Sequence, residues 1–301
     1  MLTADPASAP LEPPSRASLR TAVRDELREI VHDLARSREL LAELTRRDLR
    51  VRYKQSMIGV TWAFLMPLVI IFAGWLVRAA FAALSGQSVD GIALAGVAVK
   101  SVGWAFFVGA LSFGTASLTQ NLALLTKVYF PREMLPLAAI LTQVVDTTVG
   151  AVALLLILPL IGVGPTLALL WLPVLAVMLL LLTTSLTLLL ACLNVFFRDA
   201  RHLVQLIVSF GIFFTPVFFD ASALGPRAAR LLMLNPLAPV LEGMRLAAVN
   251  GHNLAMPLIA ANGDVIWTPW LLTYAGVWSL VGILGSSVIF HRAEFRFAEF
   301  V

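Results

Sequence analysis

Three ionisable side chains lie within apolar stretches that are long enough to cross a bilayer, namely Arg78, Lys100 and Asp146. A charge inside hydrocarbon is costly, so such a residue usually has a function or a charged partner. Arg78 lies near the end of its stretch, where a long side chain can extend to the membrane surface, and we interpret it as structural. For Lys100 and Asp146 two interpretations stay open, a structural ion pair with each other and a functional role.

The usual catalytic and metal-binding patterns are absent from the sequence. There is no Gly-x-x-x-x-Gly-Lys-Ser/Thr phosphate loop, and none of the three lysines follows a glycine. The four histidines are scattered without metal-ligand spacing, and the single cysteine, Cys192, excludes an intrachain disulfide and a cysteine metal cluster. Asp220 and Asp264 are a weak carboxylate pair from one loop. We therefore predict that the chain is not an enzyme and holds no metal or cofactor of its own.

The composition indicates a membrane protein. Hydrophobic residues make up 59% of the 301 residues and charged residues only 13%, whereas a soluble domain has roughly 25% charged residues. The net charge of +4 is weak support for nucleic-acid binding, because the basic residues lie beside apolar stretches, where membrane orientation and anionic lipid explain them. We expect contact with membrane lipid and none with nucleic acid.

Six apolar stretches predict an all-α integral membrane protein with six transmembrane helices, at residues 57–83, 92–118, 135–161, 167–197, 203–219 and 269–290. Basic and non-basic connections alternate along the chain, which places both termini in the cytoplasm. We expect a disordered tail over residues 1–17, cytoplasmic amphipathic helices over 18–56 and a six-span domain over 57–301.

A basic segment stands immediately before the first predicted span. On a helical wheel Arg46, Arg50 and Lys54 share one face, and leucines lie broadly opposite. With Arg52 and Tyr53 they predict an amphipathic helix in the cytoplasmic membrane interface. The alternative is a plain basic signal for membrane insertion, and the length of the pattern favours the helix.

The segment from 220 to 268 is external by the charge rule, yet its apolar runs are too short to cross the membrane. Pro236 and Pro239 interrupt these runs, since proline tends to end helices. Two short re-entrant helices are favoured over an ordinary surface hairpin, with irregular backbone buried in protein or lining a cavity. Glu242 and Arg245, three residues apart, are expected to be buried and to pair.

Aromatic residues concentrate in the first, second and fifth predicted spans. More than half are expected to face lipid, the core or the interface. The functional alternative is a channel whose walls stack on sugar rings. The residues assigned to that channel are Phe64, Trp75, Trp104, Phe107, Phe213 and Phe214.

Three stretches in this order resemble the permease subunit of a type-2 ABC exporter of polysaccharides or polyol phosphates, the group that exports O-antigen, capsule and teichoic acid chains. They are DLRVRYKQSMIGVTWAFLMPL (48–68), NLALLTKVYFPREMLPLA (121–138) and the segment 197–245, which begins FRDARHLVQLIVSFGIFFTPVFF and ends LNPLAPVLEGMR. The last predicted span matches by hydropathy alone, and the first 40 or so residues are longer than this family requires.

The resemblance implies a homodimer that encloses a channel in the inner membrane of a bacterium. Each protomer would dock a separate ATP-binding cassette subunit, so that two copies bind ATP and Mg. It also implies that Pro236, Pro239, Glu242 and Arg245 belong to an external gate. The coupling segment that contacts the ATPase would contain Lys127, Tyr129, Phe130, Pro131, Arg132 and Glu133.

The implied cargo is a glycan, free or lipid-linked such as O-antigen. The alternative is a small-molecule, drug or glycolipid exporter permease of the same superfamily. From other classes, a membrane-embedded transferase lacks an acidic or histidine site, and a ligand-gated ion channel lacks a ring of like charges.

Overall fold

The described residues of the computed structural model are 16–54, 62–85, 91–127, 130–197, 199–220, 225–260 and 263–297, and most of them are helical. The predicted disordered tail therefore lies almost wholly outside the described residues. The helices are α1 (Arg16–Arg36), α2 (Arg38–Lys54), α3 (Trp62–Ser85), α4 (Gly91–Gln120), α5 (Leu122–Lys127), α6 (Met134–Ile157), α7 (Trp171–Phe196), α8 (Ala200–Phe210), α9 (Gly225–Leu232), α10 (Leu237–Ala248) and α11 (Pro269–Glu294).

Four helices in the described part of the chain are long and apolar enough to cross a membrane. They are Gly91–Gln120, Met134–Ile161, Leu167–Phe196 and Pro269–Glu294, where short 3₁₀ turns extend α6 and α7. Their positions coincide with the predicted second, third, fourth and sixth spans. The chain is thus an all-α integral membrane protein.

The other two predicted spans correspond to shorter apolar helices among the described residues, Leu68–Val77 within α3 and Ala200–Phe213. The second of these ends earlier than predicted, because residues 214–219 form turns instead of helix. At about 1.5 Å per residue it is roughly 21 Å long, short of the roughly 30 Å hydrocarbon core. The count of six spans therefore stays a prediction.

Helix α4 lies at the centre of the bundle and packs against α3, α6, α7, α8 and α10. Small residues along it permit close approach of its neighbours, as is common between membrane helices. At Gly103 a side-chain methyl would lie 2.5 Å from Leu241 Cδ2, and at Gly114 it would collide with Thr187. The main hydrophobic core forms around α4, and α10 is buried in it along its whole length.

Several buried hydroxyl side chains inside the bundle hydrogen-bond to their own helices. Thr142, Thr183 and Ser279 each donate to the carbonyl four residues earlier, at 2.9, 2.7 and 2.7 Å. This pattern satisfies a buried hydroxyl without a partner on another helix. It explains how polar residues are tolerated in these apolar helices.

The bundle has two ends that matter for function. At the α2 end, Leu44 of α2 packs with Leu118, Met134 and Phe290, which lie at the ends of α4, α6 and α11. At the α10 end, α10 packs against α4, α7 and α11. We keep these two names below.

The segment between α10 and α11 forms a small β-hairpin that the sequence analysis did not predict. Strand β1 (Leu258–Ile259) pairs antiparallel with β2 (Val265–Trp267). Trp267 is fully buried, and its indole nitrogen donates to the Leu254 carbonyl at 2.9 Å. Strands of two and three residues are too short to show an alternating pattern, which is why the hairpin was missed.

Candidate functional site

The basic residues of α2 divide into two groups. Arg46, Arg50 and Lys54 are exposed, as their shared face predicts. Arg52 and Tyr53 instead point inward, and both hydrogen-bond to the carboxylate of Asp146 on α6. Helix α2 is thereby attached to α6 by a partly buried ion pair.

Further contacts hold this junction in place. Arg52 Nη1 donates to Gln143 Oε1 at 3.2 Å, and its guanidinium lies 4.2 Å from the centre of the Phe113 ring. Burial, together with the hydrogen bond to Asp146, raises the pKa of Tyr53 to about 12, so the phenol stays a neutral donor at pH 7. The predicted Lys100–Asp146 ion pair is therefore wrong, because Arg52 and Tyr53 occupy the Asp146 carboxylate.

Lys100 belongs to a different cluster at the α10 end. Its fully buried ammonium group donates to the Phe219 carbonyl at 2.7 Å and lies 3.4 Å from Glu242 Oε2 and 3.5 Å from Asp220 Oδ1. Arg245 completes the cluster, with Nη2 2.6 Å from Glu242 Oε1 and Nε 3.3 Å from Asp220 Oδ1. The expected pairing of Glu242 with Arg245 is present, and both residues are buried.

Two cations and two carboxylates thus meet in one place, which we call the Lys100 cluster (Lys100, Asp220, Glu242 and Arg245). The cluster joins three parts of the chain: α4, α10 and the segment that follows α8. Charges removed from water are tolerated when they are paired and hydrogen-bonded. The sequence suggested Asp220 only as part of a weak carboxylate pair with Asp264. Its position directly after a predicted span was the signal that could have identified it as a partner for a buried cation.

The prolines assigned to the external gate shape α10. Pro236 stands immediately before the helix and Pro239 lies in its first turn, where a missing amide hydrogen costs nothing because those amides have no partner within the helix. Pro236 also lies between the two short helices α9 and α10, so the predicted break at this proline is present. The role of Pro236, Pro239, Glu242 and Arg245 as a gate stays a prediction.

Three of the proposed channel aromatics meet at one cavity. Trp104 and Phe107 on α4 are buried, with ring centres 5.3 Å apart, and with Phe214 they border a cavity of about 490 Å³ between α4, α7, α8 and α11. Trp75 and Phe213 are 41% and 62% exposed. The side chain of Phe64 lies outside the described residues.

A larger cavity of about 1120 Å³ lies between α2, α4, α6 and α8, and Trp104 borders this one as well. Its wall is more polar than that of the smaller cavity. The hydrophilic residues of this wall include Arg47, Asp48, Arg52, Tyr53, Gln120, Asn121, Gln143, Asp146, Arg201 and Gln205.

The segment predicted to couple to an ATPase lies at the α2 end. Phe130 is half-buried, and Arg132 Nη1 donates to the Glu294 carbonyl at 2.5 Å at the end of α11. Glu133 stands before α6, is 5% exposed and lies 3.7 Å from His291 of α11. Arg132 and Glu133 therefore contact their own chain, and the role of this segment in coupling stays a prediction. Tyr129 and the side chain of Lys127 lie outside the described residues.

Comparison with known proteins agrees with this architecture. The model of the family "ABC-2 type transporter" matches residues 39–248. The O-antigen export system permease protein RfbA of Myxococcus xanthus is 30% identical over 235 residues, which cover 77% of this chain and 88% of that protein. Two proteins of the same name from Klebsiella pneumoniae are 24% and 23% identical over 262 residues, covering 87% of this chain and 94% of each relative. The chain therefore belongs to the ABC-2 type transporter family.

Proposed function

We propose that this chain is the channel-forming permease subunit of an ATP-driven exporter that moves a polysaccharide, free or lipid-linked, across the cytoplasmic membrane. The observation that carries the proposal is the similarity of this chain, over 77% of its length and 88% of the relative's length, to a permease named for O-antigen export. A polysaccharide passing through a membrane needs a continuous path with walls that tolerate sliding, and aromatic rings bind sugar faces without forming a deep site.

The two cavities support this path. Trp104 borders both of them, so they adjoin along α4. The larger one has charged and amide side chains at the α2 end, and the smaller one is apolar and aromatic. We propose that a second copy of the chain completes the walls of this path.

Export requires chemical energy, and the sequence has no phosphate loop. We propose that a separate ATP-binding cassette subunit, in two copies, hydrolyses ATP and contacts the segment 127–133. The purified chain alone should then show no ATPase activity, whereas co-expression with its partner should yield a stable, active complex. Robust hydrolysis by the isolated chain would contradict the proposal.

We further propose that α10 is re-entrant at the outer face. Its Leu241 packs against Gly103, which lies twelve residues from the start of α4, or about 18 Å along that helix. Both termini are then cytoplasmic. Single cysteines placed from 231 to 249 in a Cys192→Ser background should label with a membrane-impermeant maleimide at the ends and stay protected in the middle. Uniform labelling from outside would indicate an ordinary loop.

The decisive experiment is deletion of the gene in its source bacterium. The surface polysaccharide should be lost and its polymer should accumulate inside the cell, and the wild-type gene should restore export. If surface polysaccharide persists while a drug or glycolipid is retained inside, the alternative of a small-molecule exporter replaces this one. The discriminating measurement is the location of the polymer, detected separately on intact and permeabilised cells.

A further inference from the structure

A second buried charged cluster lies at the α2 end, where the start of α6 meets the last turn of α11. It contains Glu133, His291 and Glu294. His291 Nδ1 lies 3.7 Å from Glu133 Oε1 and 3.5 Å from Glu294 Oε1, and the three donor atoms are all within 4.8 Å of one another. We call this group the Glu133 cluster.

Two carboxylate oxygens in this cluster lack hydrogen bonds. Glu133 is 95% buried, since only 5% of its surface is exposed, and its Oε1 has no hydrogen-bond partner among the described residues. Glu294 Oε2 is also buried and has no hydrogen-bond partner among the described residues. A buried polar atom without a partner costs roughly 1–3 kcal/mol, and more when it is charged. Such atoms in one small space indicate that something else binds there.

The neighbouring groups offset the two buried carboxylates only in part: His291 lies near both of them, and Arg132 interacts with Glu294 through its charge and its backbone. Arg132 extends past them to the Glu294 carbonyl and lies 5.7 Å from the centre of the Phe297 ring. Asp33 of α1 adds negative charge near Glu133.

We infer that Glu133, His291 and Glu294 bind one divalent transition-metal ion. Bonds of about 2.1 Å in tetrahedral geometry place neighbouring ligand atoms about 3.4 Å apart, close to the 3.5 and 3.7 Å from His291 to the two carboxylates. The remaining pair, the two carboxylates, lies within 4.8 Å. An imidazole with two carboxylates suits Zn²⁺, Mn²⁺ or Fe²⁺, whereas Mg²⁺ and Ca²⁺ prefer oxygen ligands alone.

The site departs from the sequence-based expectation of no metal. That expectation relied on short-range spacing, and Glu133 stands more than 150 positions before His291. The only local signal was the three-residue spacing of His291 and Glu294 at the end of a span. A bound ion would fix the segment 130–133 to the end of α11 and so set the position of that segment. This consequence does not depend on the identity of the transported substrate.

The test uses the full chain in lipid nanodiscs, purified with a histidine-free affinity tag and stripped with a chelator. Titration with Zn²⁺ in a calorimeter should show one ion bound per chain. Co²⁺ should give the visible absorption of a low-symmetry site. Glu133→Gln, His291→Gln and Glu294→Gln should each weaken binding by at least about tenfold. The exposed residues Glu39 and His202 provide matched controls, and Glu39→Gln and His202→Gln should bind like wild type.

A second measurement covers variants that fail to fold. Zn²⁺ should raise the melting temperature of the stripped wild-type chain, because a ligand that binds the folded state stabilises it. Absence of saturable Zn²⁺ binding by the wild type would overturn the inference, as would binding that survives all three substitutions. If acidification stabilises the stripped protein as strongly as Zn²⁺ and abolishes its effect, a proton shared by the carboxylates replaces the metal.

Discussion

The Lys100 cluster and the Glu133 cluster are both buried and charged, yet they differ in balance. In the first, two carboxylates contact two cations across 2.6–3.5 Å. In the second, two carboxylates lie near one histidine, only Glu294 also interacts with Arg132, and two of the carboxylate oxygens have no hydrogen bond within the described chain. A balanced cluster stabilises a packing arrangement by itself, whereas an unbalanced one needs a bound ligand or a proton to offset its charge. Burial of charge alone therefore does not reveal which of the two a protein contains.

The largest effect is expected from removing one cation of the balanced cluster. Lys100→Met keeps the volume of the side chain but removes one of the two cations that lie close to Glu242 and Asp220. Breaking a buried ion pair in this way costs about 3–5 kcal/mol, and we expect little folded protein, measured as monodisperse material after detergent extraction. Lys54→Met, at an exposed lysine, is the matched control and should behave as wild type.

The same substitution at two buried glutamates should have unequal effects. Glu242→Gln removes a charge that pairs with Lys100 and Arg245, and we expect a loss of about 2–4 kcal/mol. Glu133→Gln in metal-free protein removes an unbalanced charge, so stability should be unchanged or slightly higher. Thermal unfolding of the two variants in the same detergent, with and without a chelator, measures the difference. Equal destabilisation of both variants would show that the Lys100 cluster and the Glu133 cluster do not differ in charge balance.

A third effect is expected at the junction of α2 and α6. Asp146→Asn removes the ion pair with Arg52, and because Arg52 is 24% exposed the loss should be smaller, about 1–2 kcal/mol. Helix α2 should then detach more readily and be cleaved faster by protease. The double variant Arg52→Asp with Asp146→Arg should recover part of the attachment. Arg50→Ala, which changes an exposed residue of the same helix, should leave the cleavage rate unchanged.

The sequence predicted the helical class well because long apolar runs determine membrane helices by composition alone. It also located Glu242 and Arg245 as a pair, since residues three apart on one helix are neighbours. It failed where partners come from distant segments. Lys100 and Asp146 were considered together because both were isolated charges, but tertiary packing gave them Glu242 and Arg52 as partners.

The candidate site shows the same limit. Aromatic content selected the proposed channel residues, but it could not separate Trp104, Phe107 and Phe214, which share a cavity, from Trp75 and Phe213, which do not border it. Neighbouring helices determine which face of a helix is buried, and the sequence pattern along one helix does not specify those neighbours. Glu133 was assigned to the coupling segment because of its position in the sequence. Its side chain is buried against other residues of its own chain, which the sequence did not indicate.

The smallest effect is expected from an exposed ion pair at the same end as the Glu133 cluster. Arg292 binds Glu26 of α1 through three contacts of 3.1–3.2 Å, and its side chain is 57% exposed. Exposed pairs contribute about 0–1 kcal/mol and are screened by salt. Glu26→Gln should therefore lower stability only slightly at low ionic strength, and the difference from wild type should vanish near 0.5 M salt, a concentration at which the Debye length is only about 4–5 Å. If Glu26→Gln lowered stability as much as Lys100→Met, the number of contacts would determine how much an ion pair stabilises this protein. Burial and charge balance would then not be decisive. If the loss is small and sensitive to salt, charge balance inside the buried interior stays the property that distinguishes the Lys100 cluster from the Glu133 cluster.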